Sequence, residues 1–141
     1  MFETARETLR RGISRFRNRQ FLDAAMAAAA LVAMADGEVS FSELSALDDL
    51  LETVKDLQIY DPHVAVDIYR DFADALSEDH DAGRRDVLRT VARVAENPEA
   101  AALVIRVAVA ISRADGEFTP VEEKTIGELC GVLGVPLPEH G

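Results

Sequence analysis

Two short acidic segments hold the residues of this chain best suited to chemistry. Ala35-Asp36-Gly37-Glu38-Val39-Ser40-Phe41-Ser42-Glu43 and Ala114-Asp115-Gly116-Glu117-Phe118-Thr119-Pro120-Val121-Glu122 lie 79 positions apart. Each begins with ADGE, continues with an apolar and a hydroxyl residue, and reaches a Glu after two variable positions. Carboxylate oxygens suit hard divalent cations such as Ca²⁺ or Mg²⁺ better than soft, thiol-seeking metals. The spacing is similar to the second half of an EF-hand loop, with Asp36 at the fifth position, Gly37 at the sixth, Ser40 at the ninth and Glu43 at the twelfth. Asp115, Gly116, Thr119 and Glu122 fit the same register. The first and third positions, acidic in a complete loop, hold Val32 and Met34 in one copy and Ile111 and Arg113 in the other. Each copy therefore falls short of the roughly 6–8 oxygens that Ca²⁺ takes. Two facing copies supply enough, whereas separated copies bind at the weak end of the calcium range, roughly 10⁻⁴–10⁻³ M. The candidate metal ligands are Asp36, Glu38, Glu43, Asp115, Glu117 and Glu122.

The same residues also read as helix punctuation. Gly37 and Gly116 stand where a helix ends and a left-handed residue is wanted. Ser40-x-x-Glu43 and Thr119-x-x-Glu122 are capping boxes, and Pro120 suits the first helical position. A capping Glu has only part of its carboxylate left for a metal. Against a purely structural role, Asp36 and Asp115 both fall at expected helix C-termini, where the macrodipole disfavours an anion. An anion placed against its local preference in both copies asks for a compensating contact. Both readings stand at the level of sequence.

Other chemistries find little support. Cys130 is the one cysteine, which excludes an internal disulfide and a multi-thiolate metal site within one chain, and fits a reducing compartment. Its spacing from Ile126 and Leu133 places it on a core stripe. His63, His80 and His140 form no zinc-hydrolase pattern, and no P-loop or dinucleotide fingerprint is present. A non-enzymatic protein is the expectation.

The chain is of single-domain length, with 141 residues, 48% of them apolar and 29% charged. The longest uncharged run, Ala24 to Ala35, has 12 residues. A membrane span needs about 20, and the Met1-Phe2-Glu3 opening lacks the apolar stretch of a signal peptide. A cytoplasmic protein is expected. Charge is unevenly distributed: residues 1–20 carry six Arg against Glu3 and Glu7, whereas the other 121 residues carry 9 basic and 24 acidic side chains. The acidic body disfavours nucleic acid as a partner, because phosphate contacts dominate that affinity.

Helices must position these residues. Alanine, the best helix former, occurs 22 times, and no stretch sustains a strand-like alternation. Phe2, Ala5, Leu9, Ile13 and Phe16 make an apolar stripe on a basic helix over residues 1–19. That stripe either covers the domain's own core, with its arginines against the acidic body, or docks to an anionic membrane or a partner. Residues 20–35 and 98–114 are apolar nearly all round and predict two central, adjacent helices that bury Ala28 and Val109. Leu44 to Leu57 gives an amphipathic helix. Asp61-Pro62 and Asn97-Pro98 read as caps followed by proline at the first helical position, and Asp79 or Asp81 opens another helix. A last helix runs from Pro120 to Leu133 and stops at Gly134. The expectation is an all-α single compact bundle of about seven helices, residues 1–141, built on a repeated helical hairpin.

The chain resembles the tellurite-resistance TerB family along nearly its whole length. The resemblance rests on RFRNRQFLDA, the two motifs ADGEVSFSE and ADGEFTPVEEK, LQIYDP between the hairpins, NPEAAALVIRVAVAIS, and the ending ELCGVLGVP. It implies an all-helical domain without known catalytic activity and an acidic surface around the two loops that binds divalent metal. On this chain that surface falls on Asp36, Glu38, Glu43, Asp115, Glu117 and Glu122. It further implies work in a stress and tellurite-resistance system with calcium-binding and membrane proteins, notably the integral membrane protein TerC; with the basic stripe of residues 1–19, peripheral attachment at the inner face of the membrane is the corresponding expectation. Where the family often has a denser acidic run, this chain has Thr119-Pro120-Val121. Reduction of tellurite by the chain itself needs thiol pairs or a redox cofactor, and Cys130 stands alone. The competing reading is a metal-free helical interaction module.

Overall fold

The computed structural model describes residues 19–36, 62–112 and 119–136. They form five α-helices: α1 (Arg19–Ala33), α2 (Pro62–Glu78), α3 (His80–Ala92), α4 (Pro98–Ser112) and α5 (Pro120–Leu133), with a 3₁₀ turn, Met34–Asp36, continuing α1. No strand occurs among the described residues. The helices expected over 1–19 and from Leu44 to Leu57 lie outside them, apart from Arg19.

α1 is the axis of the fold. It packs against each of the other four helices, most extensively against α4. Phe21, Leu22 and every residue from Ala24 to Ala33 are buried. Its alanines help make this possible, because their short side chains let neighbouring helices approach closely at little entropy cost. Asp23, the exception within this run, is half-buried and accepts a hydrogen bond from Arg19 Nε at 2.8 Å, one helical turn away.

α4 lies beside α1, as its apolar sequence predicts, but is not buried all round. Ala100, Ala101, Leu103, Val104, Ile105, Val107 and Ala108 are buried, Arg106 and Ala110 are exposed, and Val109 is only half-buried. Among the described elements, α4 packs against α1 and α5. Its β-branched residues sit in a helix because burial outweighs their weak preference against one.

The remaining helices are amphipathic. α2 turns Ala65, Ile68, Tyr69 and Leu76 inward and Asp67, Arg70, Asp71 and Asp74 outward. α3 buries Gly83, Val87 and Val91, one per turn. A single residue, Asp79, separates α2 from α3, and its carboxylate caps α3 by accepting from the Ala82 N–H at 3.2 Å. This corner brings the two backbones close: a Cβ on Gly83 would lie 2.8 Å from the Leu76 nitrogen. Asn97 Oδ1 caps α4 in the same manner, accepting from the Ala100 N–H at 3.2 Å. One hydrophobic cluster joins all five helices. No helix among the described residues is long and apolar enough to cross a membrane.

Candidate functional site

The second acidic segment runs into α5, and its last residues are local in their logic. Thr119 is the N-cap in an extended conformation, and Pro120 follows at the first helical position. Thr119 Oγ1 accepts from the Glu122 N–H and Glu122 Oε1 accepts from the Thr119 N–H, both at 3.1 Å. The capping box expected at Thr119-x-x-Glu122 is therefore formed, and satisfies two N–H groups at the start of α5. Glu122 is also buried, at 3% exposure, the one charged residue in the core among the described residues. Part of its carboxylate is committed to the cap.

The first acidic segment begins as α1 ends. The helix tightens into the Met34–Asp36 turn, so Asp36 closes a helical segment at its C-terminal end, as its position in the sequence implies. This turn packs against α5, the helix opened by the second repeat, and against α2. Of the six candidate ligands, Asp36 and Glu122 are thus on neighbouring elements. Glu38, Glu43, Asp115 and Glu117 lie outside the described residues. Among the described residues, no three His, Cys, Asp or Glu side chains gather closely enough to hold a metal ion.

Cys130 lies on the inner face of α5 beside Leu129 and Leu133, as its spacing predicts. Its Sγ is 3.8 Å from the Pro136 carbonyl oxygen, and burial pushes the thiol pKa up. A buried, protonated thiol is a poor nucleophile. His63 and His80 are both exposed.

Two features were not anticipated from the sequence. Arg84 of α3 pairs through Nε and Nη2 with Glu128 Oε2 of α5, the Nε contact being 3.1 Å. α1, α2 and α3 also border an open surface groove of about 330 Å³ whose lining includes Asp23, Ile68, Asp71, Phe72 and Asp86. Both bring together residues far apart in the chain, so no local spacing announces them.

Comparison with known proteins agrees with the motifs. The family profile described as tellurite resistance protein TerB matches residues 22–139. A tellurium resistance protein TerB from Alcaligenes sp is 24% identical over 106 residues, covering 75% of this chain and 87% of that protein. No solved structure matches. With the profile spanning both ADGE segments and all five described helices from Leu22 onward, this chain belongs to the tellurite-resistance TerB family.

Proposed function

We propose that this chain serves tellurite resistance as a non-enzymatic protein that binds a divalent cation, Ca²⁺ in preference, between its two ADGE loops. The observation that supports this reading is the packing of the turn ending at Asp36 against α5, which opens on the second loop's capping box. Six carboxylates gathered at one place repel one another, and a bound cation relieves that repulsion. Ca²⁺ accepts irregular sets of oxygen ligands more readily than Mg²⁺, which suits a site built from two partial loops. On this reading the protein is a cytoplasmic scaffold or sensor. Its partners are membrane-associated tellurite-resistance proteins, TerC among them, met by peripheral association at the inner face of the membrane.

The test is NMR titration of the full chain with Ca²⁺, with Mg²⁺ as the control. Shifts confined to the amides of 35–43 and 114–123, saturating together, support a shared site. If millimolar Ca²⁺ moves none of these resonances, the reading is wrong. One observation favours the second reading, a metal-free interaction module: Glu122 already serves the capping box. That reading expects no shifts with either ion.

A further inference from the structure

We infer that a ridge of carboxylates on α2, together with the groove beside it, is a docking surface for a basic amphipathic helix of a partner protein. Asp67, Asp71, Asp74 and Glu78 recur at helical spacing and so form one stripe along α2. All four are exposed, and none has an ion-pair partner among the described residues. Like charges one turn apart disfavour a helix, and Glu78 adds a negative charge at the C-terminal end, where the macrodipole opposes it. Arg70 is the one Lys or Arg of α2. The helix therefore gives up stability to hold this row of acids.

The ridge borders an apolar row. Ile68, Phe72 and Ala75 each follow an acidic residue of the stripe by one position, and they are buried or half-buried on the groove wall. On the α3 side of the groove Asp86 is exposed, with only a long contact of 3.9 Å to Arg89. Of the cations on the wall, Arg19 is already matched by Asp23 at 2.8 Å. That leaves Arg93 against Asp71 and Asp86, an excess of negative charge.

These features select the occupant. The sign of the charge excludes nucleic acid and an anionic lipid surface on this face. A single divalent ion does not suit the ridge, because no three of these carboxylates gather closely enough to hold one. An extended row of cations is required, and the apolar wall requires apolar side chains next to that row. A helix whose Lys or Arg residues flank an apolar stripe supplies both, in the helix-in-groove mode of recognition. The ridge is about 16 Å long at the helical rise, the length of about three turns of such a helix. The groove, about 330 Å³, accepts a few of its apolar side chains. Lys and Arg stems lie along apolar surface while their charged heads reach carboxylates, which suits the two adjoining rows. The inference rests neither on a bound metal nor on the membrane-associated partners proposed above.

Amide-shift NMR titration of the full chain tests it, with a synthetic amphipathic helical peptide of leucine and lysine as the probe. A peptide of the same composition, reordered so that its leucines no longer share one helical face, is the control. The expected result is saturable shifts confined to residues 67–78 and 86–93 with the amphipathic peptide, and weaker binding of the control. Asp71→Asn combined with Asp86→Asn should lower the affinity roughly tenfold, the loss expected for two ion pairs. Asp81→Asn combined with Glu96→Gln removes the same charge from exposed residues that do not line the groove, and should bind as the wild type does. All four residues are exposed, so both double variants should retain their helical circular dichroism. No shifts, shifts spread over the surface, equal binding of the control peptide, or equal loss in the two double variants would overturn the inference. So would shifts at the same residues that grow with protein concentration in the absence of peptide, which would assign the surface to a second copy of the chain.

Discussion

Glu122 is where the two uses of the repeat meet, because one carboxylate caps α5 and stands among the proposed ligands. Removing either half of the capping box should cost about 1 kcal/mol, so Thr119→Ala and Glu122→Ala should each lower the urea midpoint. Glu122→Gln separates the roles. Its amide oxygen still accepts from the Thr119 N–H, but the charge is gone. Lost Ca²⁺ affinity at little change in stability would make Glu122 a ligand, while unchanged affinity would assign it to the cap alone. Cys130 gives a second prediction. Its thiol is buried and its pKa raised by burial, so the neutral form is favoured in the folded state. That contribution is complete below the thiol's ordinary pKa of 9.0 and is lost as pH rises past it, so stability should fall in alkaline solution. Cys130→Ala should lessen that fall, and iodoacetamide should label Cys130 at pH 8 only as the protein unfolds. The capping box was legible in the sequence because a cap is four consecutive residues. The burial of Glu122 was not, because it depends on what the first turn of α5 packs against.

At the scale of elements, the turn between α2 and α3 leaves little room between the two backbones. A methyl at Gly83 would meet the Leu76 backbone at 2.8–2.9 Å, and backbone cannot swing aside as a side chain can. Gly83→Ala should therefore destabilise the protein by about 1–3 kcal/mol in thermal or urea unfolding, although alanine is the better helix former. Ala28→Asp should unfold the protein, since α1 is enclosed on every side and offers the new charge no partner. Val109→Asp should be milder, because Val109 is half-buried and a carboxylate there can reach water. Circular dichroism melts of the two variants make the comparison. Helix starts at Pro62, Pro98 and Pro120 and the stop at Gly134, with φ of 68°, were readable because prolines and glycines act locally. The exposure of Arg106 and Ala110 in α4 was not, since a run of apolar residues shows that a helix is buried but not how many neighbours cover it.

On the scale of the whole molecule, charge and repetition set the account. The body of the chain is acidic, and the two ADGE segments adjoin helices that share one core. The repeat was legible as a repeat, and Asp36 and Glu122 belong to elements that pack against each other. The groove beside Arg19 was not legible, because residues of three helices, Asp23, Ile68 and Asp86 among them, meet there from distant parts of the chain. The central claim is that both loops serve one cation, and calorimetric Ca²⁺ titration of the wild type beside Asp36→Asn and Asp115→Asn tests it most directly. The account expects saturable heat for the wild type and weaker binding in each single variant, since each removes one charge from the same ion. Absence of binding in the wild type, or variants that bind as the wild type does, would contradict it.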